Sequence, residues 1–317
     1  MAIKLINTNS EIGAGTRGSS LGIAAVKIAS INMGSDYFHK YPIEYVPDNN
    51  HLLYEENRTP FAKNIKGIRD VYERHAEAVK KVIENGDFPL VLSADHATAG
   101  STIAGLKMAA PNEKIGVIWI DAHADLHSPY TSPSGNVHGM PLATALAENN
   151  LVEQINDVTG EAREEWDKMK NIGGISPKIT PKELVFFGVR DAEQPELNLM
   201  ERLNIKNYKV EETRYRGLTA CLKETTEKLN HCDKIYISFD VDSLDCDLIS
   251  KGTGTPVSKG FDPQEAIDII SGFIDTNKLC CIEFVEVNPT LDNKKNKMAE
   301  TAFHVLNQIT PKIEQKL

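Results

Sequence analysis

The chain has 317 residues, 41% of them hydrophobic and 25% charged, a balance that excludes disordered and fibrous classes and allows a large core without disulfide or metal staples. Thirty-five Lys and Arg against 45 Asp and Glu give a formal charge of −10, a poor match for nucleic acid or an anionic membrane, so neither is expected as a partner. No run approaches the roughly 18 apolar residues of a membrane span.

In chain order, the amino-terminal run Met1-Ala2-Ile3-Lys4-Leu5-Ile6-Asn7 reads as a first strand rather than a signal peptide. Further strands are predicted at 43–46, 89–92, 115–120, 183–189, 234–239 and 279–287. Val117-Ile118-Trp119-Ile120 is apolar at successive positions, as expected where helices cover a parallel sheet on both faces. Helices are predicted near 21–30, 61–85, 98–108, 142–148, 195–203, 218–229, 263–274 and 298–314. The clearest is 61–85, where Ile65, Ile68, Tyr72, Ala76, Val79 and Ile83 fall at helical spacing and Asn85-Gly86 supplies a stop. The polar stretch 47–60 and the mixed stretch 150–180 read as insertions, not linkers. The alternation of strand and helix implies one three-layer α/β/α domain over residues 1–317.

The five cysteines, Cys221, Cys232, Cys246, Cys280 and Cys281, are odd in number and lack CxxC spacing, which points to reduced thiols and a cytoplasmic setting. Gly13-Ala14-Gly15-Thr16-Arg17-Gly18 matches a dinucleotide fingerprint but is read as a flexible loop. Six residues separate its first glycine from the strand, whereas the fingerprint needs that glycine in the turn directly after it.

Two segments are rich in metal-ligand residues. Asp121-Ala122-His123-Ala124-Asp125 follows one apolar strand and Asp240-Val241-Asp242 follows another. In extended backbone, alternate residues share a side, so Asp121, His123 and Asp125 are expected to converge, as are Asp240 and Asp242. His96, in Asp95-His96, follows a third strand at the same edge, where open α/β sheets place their sites. Four aspartates bring about −4, and two divalent ions would bring about +4. Carboxylates with two imidazoles and no thiolate favour Mn²⁺, two ions per chain.

These stretches, together with Ser134-Gly135-Asn136-Val137-His138-Gly139, Gly252-Thr253-Gly254-Thr255-Pro256 and Glu286-Val287-Asn288-Pro289, resemble the ureohydrolases (arginase, agmatinase, formimidoylglutamase). The Ser-Gly-Asn-x-His-Gly segment is most similar to arginase. The resemblance implies a mostly parallel sheet of about eight strands, a binuclear Mn²⁺ site and a homo-oligomer, trimer or hexamer. It implies one ion on His96, Asp121, Asp125 and Asp240, and another on Asp121, His123, Asp240 and Asp242. A hydroxide between them would attack the guanidinium of L-arginine to give L-ornithine and urea. Asp125, Glu286 and His138 are the implied catalytic residues; Glu286 would hold the guanidinium and His138 would shuttle protons. Ser132, Ser134, Asn136 and His127 would serve the α-carboxylate, Glu193 the α-ammonium, and Thr255 would shape the pocket near Glu286. His127 stands where arginases usually carry Asn, and Glu193 where they carry Asp. Two other readings remain open: hydrolysis of agmatine, guanidinobutyrate or formimidoylglutamate, and a non-catalytic metal-binding protein on the same scaffold.

Overall fold

The computed structural model describes residues 1–317. Its eight strands are β1 (Ile3–Thr8), β2 (Ile43–Val46), β3 (Phe88–Ser93), β4 (Ile115–Ile120), β5 (Leu184–Phe187), β6 (Lys206–Tyr208), β7 (Lys234–Asp240) and β8 (Leu279–Val285). They form one sheet in the order β2-β1-β3-β8-β7-β4-β5-β6, every pairing parallel. The helices are α1 (Gly22–Asn32), α2 (Tyr37–Lys40), α3 (Ile65–Glu84), α4 (Ala99–Ala109), α5 (Pro141–Leu146), α6 (Gly160–Lys170), α7 (Gln194–Arg202), α8 (Val210–Arg216), α9 (Leu218–Lys228), α10 (Pro263–Ile274) and α11 (Lys297–Glu314).

Alternate strand residues feed two cores. Leu5, Leu90, Ile118 and Ile237 pack with residues of α1, α9, α10 and α11. Their neighbours Ile6, Val91, Val117 and Tyr236 pack with α3, α4, α5 and α7 on the other face. The sheet is thus sandwiched between helical layers, which explains why β4 is buried at every residue. Each fully buried large aliphatic or aromatic side chain contributes about 1.5–3 kcal/mol, so these two cores dominate the favourable side of folding.

Local chemistry sets the ends of elements. The helix expected from residue 61 begins at Ile65, because Asn64 takes a left-handed turn (φ 55°) that a helix cannot contain. The strand expected to reach 189 stops at Phe187, since Gly188 adopts φ 94°. Helix α10 starts where Asp262 and Glu265 form a reciprocal cap around Pro263. The one strand not expected, β6, Lys-Asn-Tyr at 206–208, has no apolar run to announce it; it is a short edge strand paired only with β5.

Candidate active site

Four neighbouring strands, β3, β8, β7 and β4, point their carboxyl ends at one spot. Beyond β3 lies His96, beyond β8 Glu286, at the end of β7 Asp240 and then Asp242, and beyond β4 Asp121, His123 and Asp125. These segments are not extended, contrary to the expected same-side alternation. Asp121 Oδ1 accepts from the His123 N–H at 2.7 Å, and Asp240 Oδ1 from the Asp242 N–H at 2.8 Å. Each first aspartate folds the chain back on itself, an Asx turn, and that turn brings its partner side chain inward. Asp125 completes the first motif in a left-handed conformation (φ 50°).

The geometry gathers two triads. His96, Asp121 and Asp240 converge in one, and Asp121, His123 and Asp242 in the other, with Asp121 common to both. His96 Nδ1 lies 2.9 Å from Asp125 Oδ2 and 3.1 Å from both Asp121 Oδ2 and Asp240 Oδ2. His123 Nδ1 lies 3.0 Å from Asp242 Oδ2. The four aspartates and His96 are buried. Burial, then repulsion from Asp121, pushes the Asp125 carboxyl up to about 7, and burial with Asp242 and Asp121 holds Asp240 well above the usual carboxylate range. Burial opposes charge on His96, yet Asp125, Asp121 and Asp240 raise its pKa well above the ordinary value. Such crowding of acidic oxygens is costly without compensating charge. The buried atoms His96 Nδ1 and Asp125 Oδ2 have no well-aligned hydrogen bond. Unpartnered lone-pair atoms of this kind, facing one another, fit divalent cations.

Partners around the triads fix them. Trp119 donates its indole N–H to Asp121 Oδ2 at 3.0 Å and stacks on the His96 ring, centroids 4.3 Å apart. His96 Nε2 meets Ser238 Oγ at 2.7 Å. Asp95 accepts from the N–H groups of Gly13 and Ala97, and the Gly13 carbonyl accepts from the His138 N–H. The glycine-rich loop is therefore a strut between Asp95 and His138; a Cβ on Gly13 would sit 2.9 Å from Ala97 Cβ. Trp119 and Ser238 do not stand out in the sequence, because a tryptophan inside an apolar strand and a strand serine have ordinary structural readings, and Gly13 drew notice only within a glycine-rich run read as a flexible loop.

A cavity of about 320 Å³ opens above the triads, lined only by polar or charged residues, glycine and proline. Every residue singled out from the sequence except Asp121 lines it: His96, His123, Asp125, His127, Ser132, Ser134, Asn136, His138, Glu193, Asp240, Asp242, Thr255 and Glu286. Asp121 lies beneath, fully buried. A larger, open groove of about 670 Å³ lies elsewhere, beside the exposed Glu55, Glu56, Asn57 and Arg58, and gathers none of these groups.

Glu286, at φ 68°, is buried; its Oε1 accepts from the His96 N–H at 2.9 Å and meets His138 Nδ1 at 3.1 Å, while Oε2 has no partner. Burial would lift its pKa, but the hydrogen bond and charge of His138 bring it below the usual value. The His138 pKa is raised by Glu286 in spite of burial. Thr255 lines the same cavity as Glu286, and its hydroxyl donates to Asp242 Oδ2 at 3.1 Å, so it also braces a metal-type ligand.

At the outer end, Ser132 Oγ accepts from the Gly135 N–H and Ser134 Oγ from the Asn136 N–H, while Lys63 Nζ donates to Asn136 Oδ1. His127 Nδ1 bonds Thr131 Oγ1 at 3.1 Å, and its Nε2 lies 3.4 Å from Glu193 Oε2 and 3.5 Å from Glu196 Oε2. His127 therefore faces the acidic side of the pocket. The buried Glu196 was not anticipated; it lies in the first turn of α7, where it reads as an ordinary helix-cap residue.

A parallel sheet that carries two carboxylate–imidazole triads on adjacent strand ends, roofed by a polar cavity, defines the α/β/α class built around a binuclear metal site. The arginase family model matches residues 2–310, and the chain belongs to that family. An arginase of Bacillus caldovelox is 34% identical over 312 residues, 97% of each chain. The crystal structure of an arginase from Bacillus subtilis superposes with a TM-score of 0.82 at 34% identity, covering 98% of both chains. A formimidoylglutamase from Bacillus subtilis, 19% identical with a TM-score of 0.73, shares the fold over 100% of this chain and 87% of its own.

Proposed function

We propose that the protein hydrolyses the guanidinium group of L-arginine to L-ornithine and urea. The observation that carries this reading is Glu286: a buried carboxylate with one oxygen held by His138 and the His96 N–H and the other free, at the wall of a polar cavity beside both triads. A planar guanidinium offers paired N–H donors that such a carboxylate orients. The arginase relatives support arginine as the substrate.

His96, Asp121, Asp125 and Asp240 would hold one ion and Asp121, His123, Asp240 and Asp242 the other; the donor set favours Mn²⁺. When bound, two such ions supply positive charge against the aspartates and make hydroxide available near neutral pH. The protein's own groups do the rest. Glu286 aligns the guanidinium. His138, with Nδ1 engaged by Glu286, keeps Nε2 for passing a proton to the leaving amine. Ser132, Ser134, Asn136 and His127 offer donors for the α-carboxylate, and Glu193 an acceptor for the α-ammonium. The reading takes residues 1–317 as one domain, working in the cytoplasm as a trimer or hexamer, with a small guanidino molecule as its partner.

The test is kcat/KM of Mn²⁺-loaded protein for L-arginine, agmatine, guanidinobutyrate and formimidoylglutamate, scored by urea or, for formimidoylglutamate, formamide release. Arginine is expected to lead by at least tenfold, about 1.4 kcal/mol in transition-state binding. A tenfold preference for another of the four overturns the arginine assignment and keeps the hydrolase. Turnover of none of them makes the protein a non-catalytic metal binder.

A further inference from the structure

Carboxylates, but no lysine or arginine, line the cavity. Lysine and arginine side chains bond its lining residues at two places only. Arg190 donates to the Asp242 carbonyl at the triad end, and Lys63 donates to Asn136 Oδ1 at the outer end, 3.2 Å away. Lys63 lies in the turn ahead of α3, just past the polar stretch 47–60. Two contacts hold this turn against the loop that carries Ser134 and Asn136. The Lys63 N–H donates to the Gly135 carbonyl at 2.8 Å, and Gly135 passes so close to the Pro60 carbonyl that a Cβ there would collide with it. No carboxylate lies within 4 Å of the Lys63 ammonium, so its charge is not spent on an ion pair.

An ammonium only donates, which fixes the Asn136 amide: Oδ1 faces Lys63, and Nδ2 is turned away from it. Nδ2 donates to no group of the protein. The glycine-rich loop leaves it room, since a Cβ on Gly15 would sit 2.6 Å from it. The Nδ2 hydrogens are thus left for a ligand, and the charge at Oδ1 polarises the amide and strengthens them as donors. We infer that Lys63 is a positioning residue that sets a preference for guanidino substrates bearing an α-carboxylate: it holds the Asn136 amide with its donors free, and it brings positive charge to a pocket whose outer part otherwise carries Glu193 and Glu196. This rests on the reading of the cavity as an arginine site. The effect belongs to ground-state binding of the substrate's far end, not to the chemistry at the guanidinium.

Lys63→Met removes the charge and keeps the length of the side chain. The test measures kcat and KM of Mn²⁺-loaded protein for L-arginine, with agmatine as the control because it lacks the carboxylate. Where agmatine is not turned over, its inhibition constant against arginine replaces KM. In Lys63→Met the KM for arginine should rise about five- to twentyfold, less than the full worth of a charged hydrogen bond because the pair is half-exposed. The kcat for arginine and the agmatine constant should both stay within twofold. Lys63→Arg keeps the charge and should recover most of the loss. In an Asn136→Ala background, which has already lost the donor, Lys63→Met should add less than twofold. A rise in arginine KM of less than fivefold overturns the inference. So does an equal rise for agmatine, a loss in Lys63→Arg as large as in Lys63→Met, or a full further rise in the Asn136→Ala background. A wild type that turns over no arginine overturns the reading of the cavity itself, and this inference with it.

Discussion

Glu286 and Asp125 are non-glycine residues at positive φ, 68° and 50°, a conformation that costs about 1–2 kcal/mol apiece. Both border the cavity, and in each the twisted backbone sets the carboxylate against an imidazole: Glu286 against His138, Asp125 against His96. Strain retained at these positions is consistent with function rather than stability. His138→Asn should lower kcat by roughly 10²–10⁴-fold, the range for a lost general acid or base, with two Mn²⁺ still bound per chain. Steady-state kinetics with metal counting on the same sample checks this, and wild-type turnover between pH 7 and 10 would contradict the proton-transfer role. Glu193 is more than half exposed and shares its side of the pocket with the buried Glu196. Glu193→Ala should therefore raise KM for arginine by only roughly 3–10-fold, the worth of one partly solvated hydrogen bond, and leave KM for agmatine unchanged because agmatine lacks the α-ammonium. Equal increases for both substrates would remove Glu193 from ammonium binding. At this scale the sequence was legible where ligands sit in contiguous runs after apolar strands, as in Asp121-Ala122-His123. It was mute at Ser238 and Trp119, because a residue inside a strand looks like core until its neighbours across the sheet are known.

Secondary-structure elements were readable in number and type more than in their ends. The helix at 263–274 was readable to the residue because Asp262, Pro263 and Glu265 spell out its start. The ligand segments were misread as extended because Asp at a strand end prefers to bond the backbone two residues on, which closes a turn. The segment after α6 shows a different device. Lys178 is buried and donates to the carbonyls of Lys170, at the end of α6, and Ile175. Burial lowers its pKa to about 8. Below pH 8 both folded and unfolded chains hold this proton. Between 8 and the ordinary lysine value of 10.5 only the unfolded chain does, so the wild-type fold gains stability as pH rises through that window, up to about 1.4 kcal/mol per pH unit. The thermal midpoint of wild type minus that of Lys178→Met should accordingly be larger at pH 9.5 than at pH 7.5. A difference that is flat or falls with pH would show that Lys178 is not held in this way.

For the whole molecule, the three-layer arrangement followed from the alternation of strands and helices, whereas the order β2-β1-β3-β8-β7-β4-β5-β6 did not. Nothing in a linear pattern of apolar runs says which strands adjoin. Yet that order makes the site, since it places side by side the four strand ends that carry His96, Glu286, Asp240 and Asp121. It also puts the last strand of the chain in the middle of the sheet, between β3 and β7. Without residues 279–285 the sheet order leaves two groups of strands, β2-β1-β3 and β7-β4-β5-β6, with no pairing between them. Glu286 arrives with that closing strand, so a molecule clipped before residue 279 lacks both the strand that joins the two halves of the sheet and the one carboxylate at the cavity wall that β8 delivers.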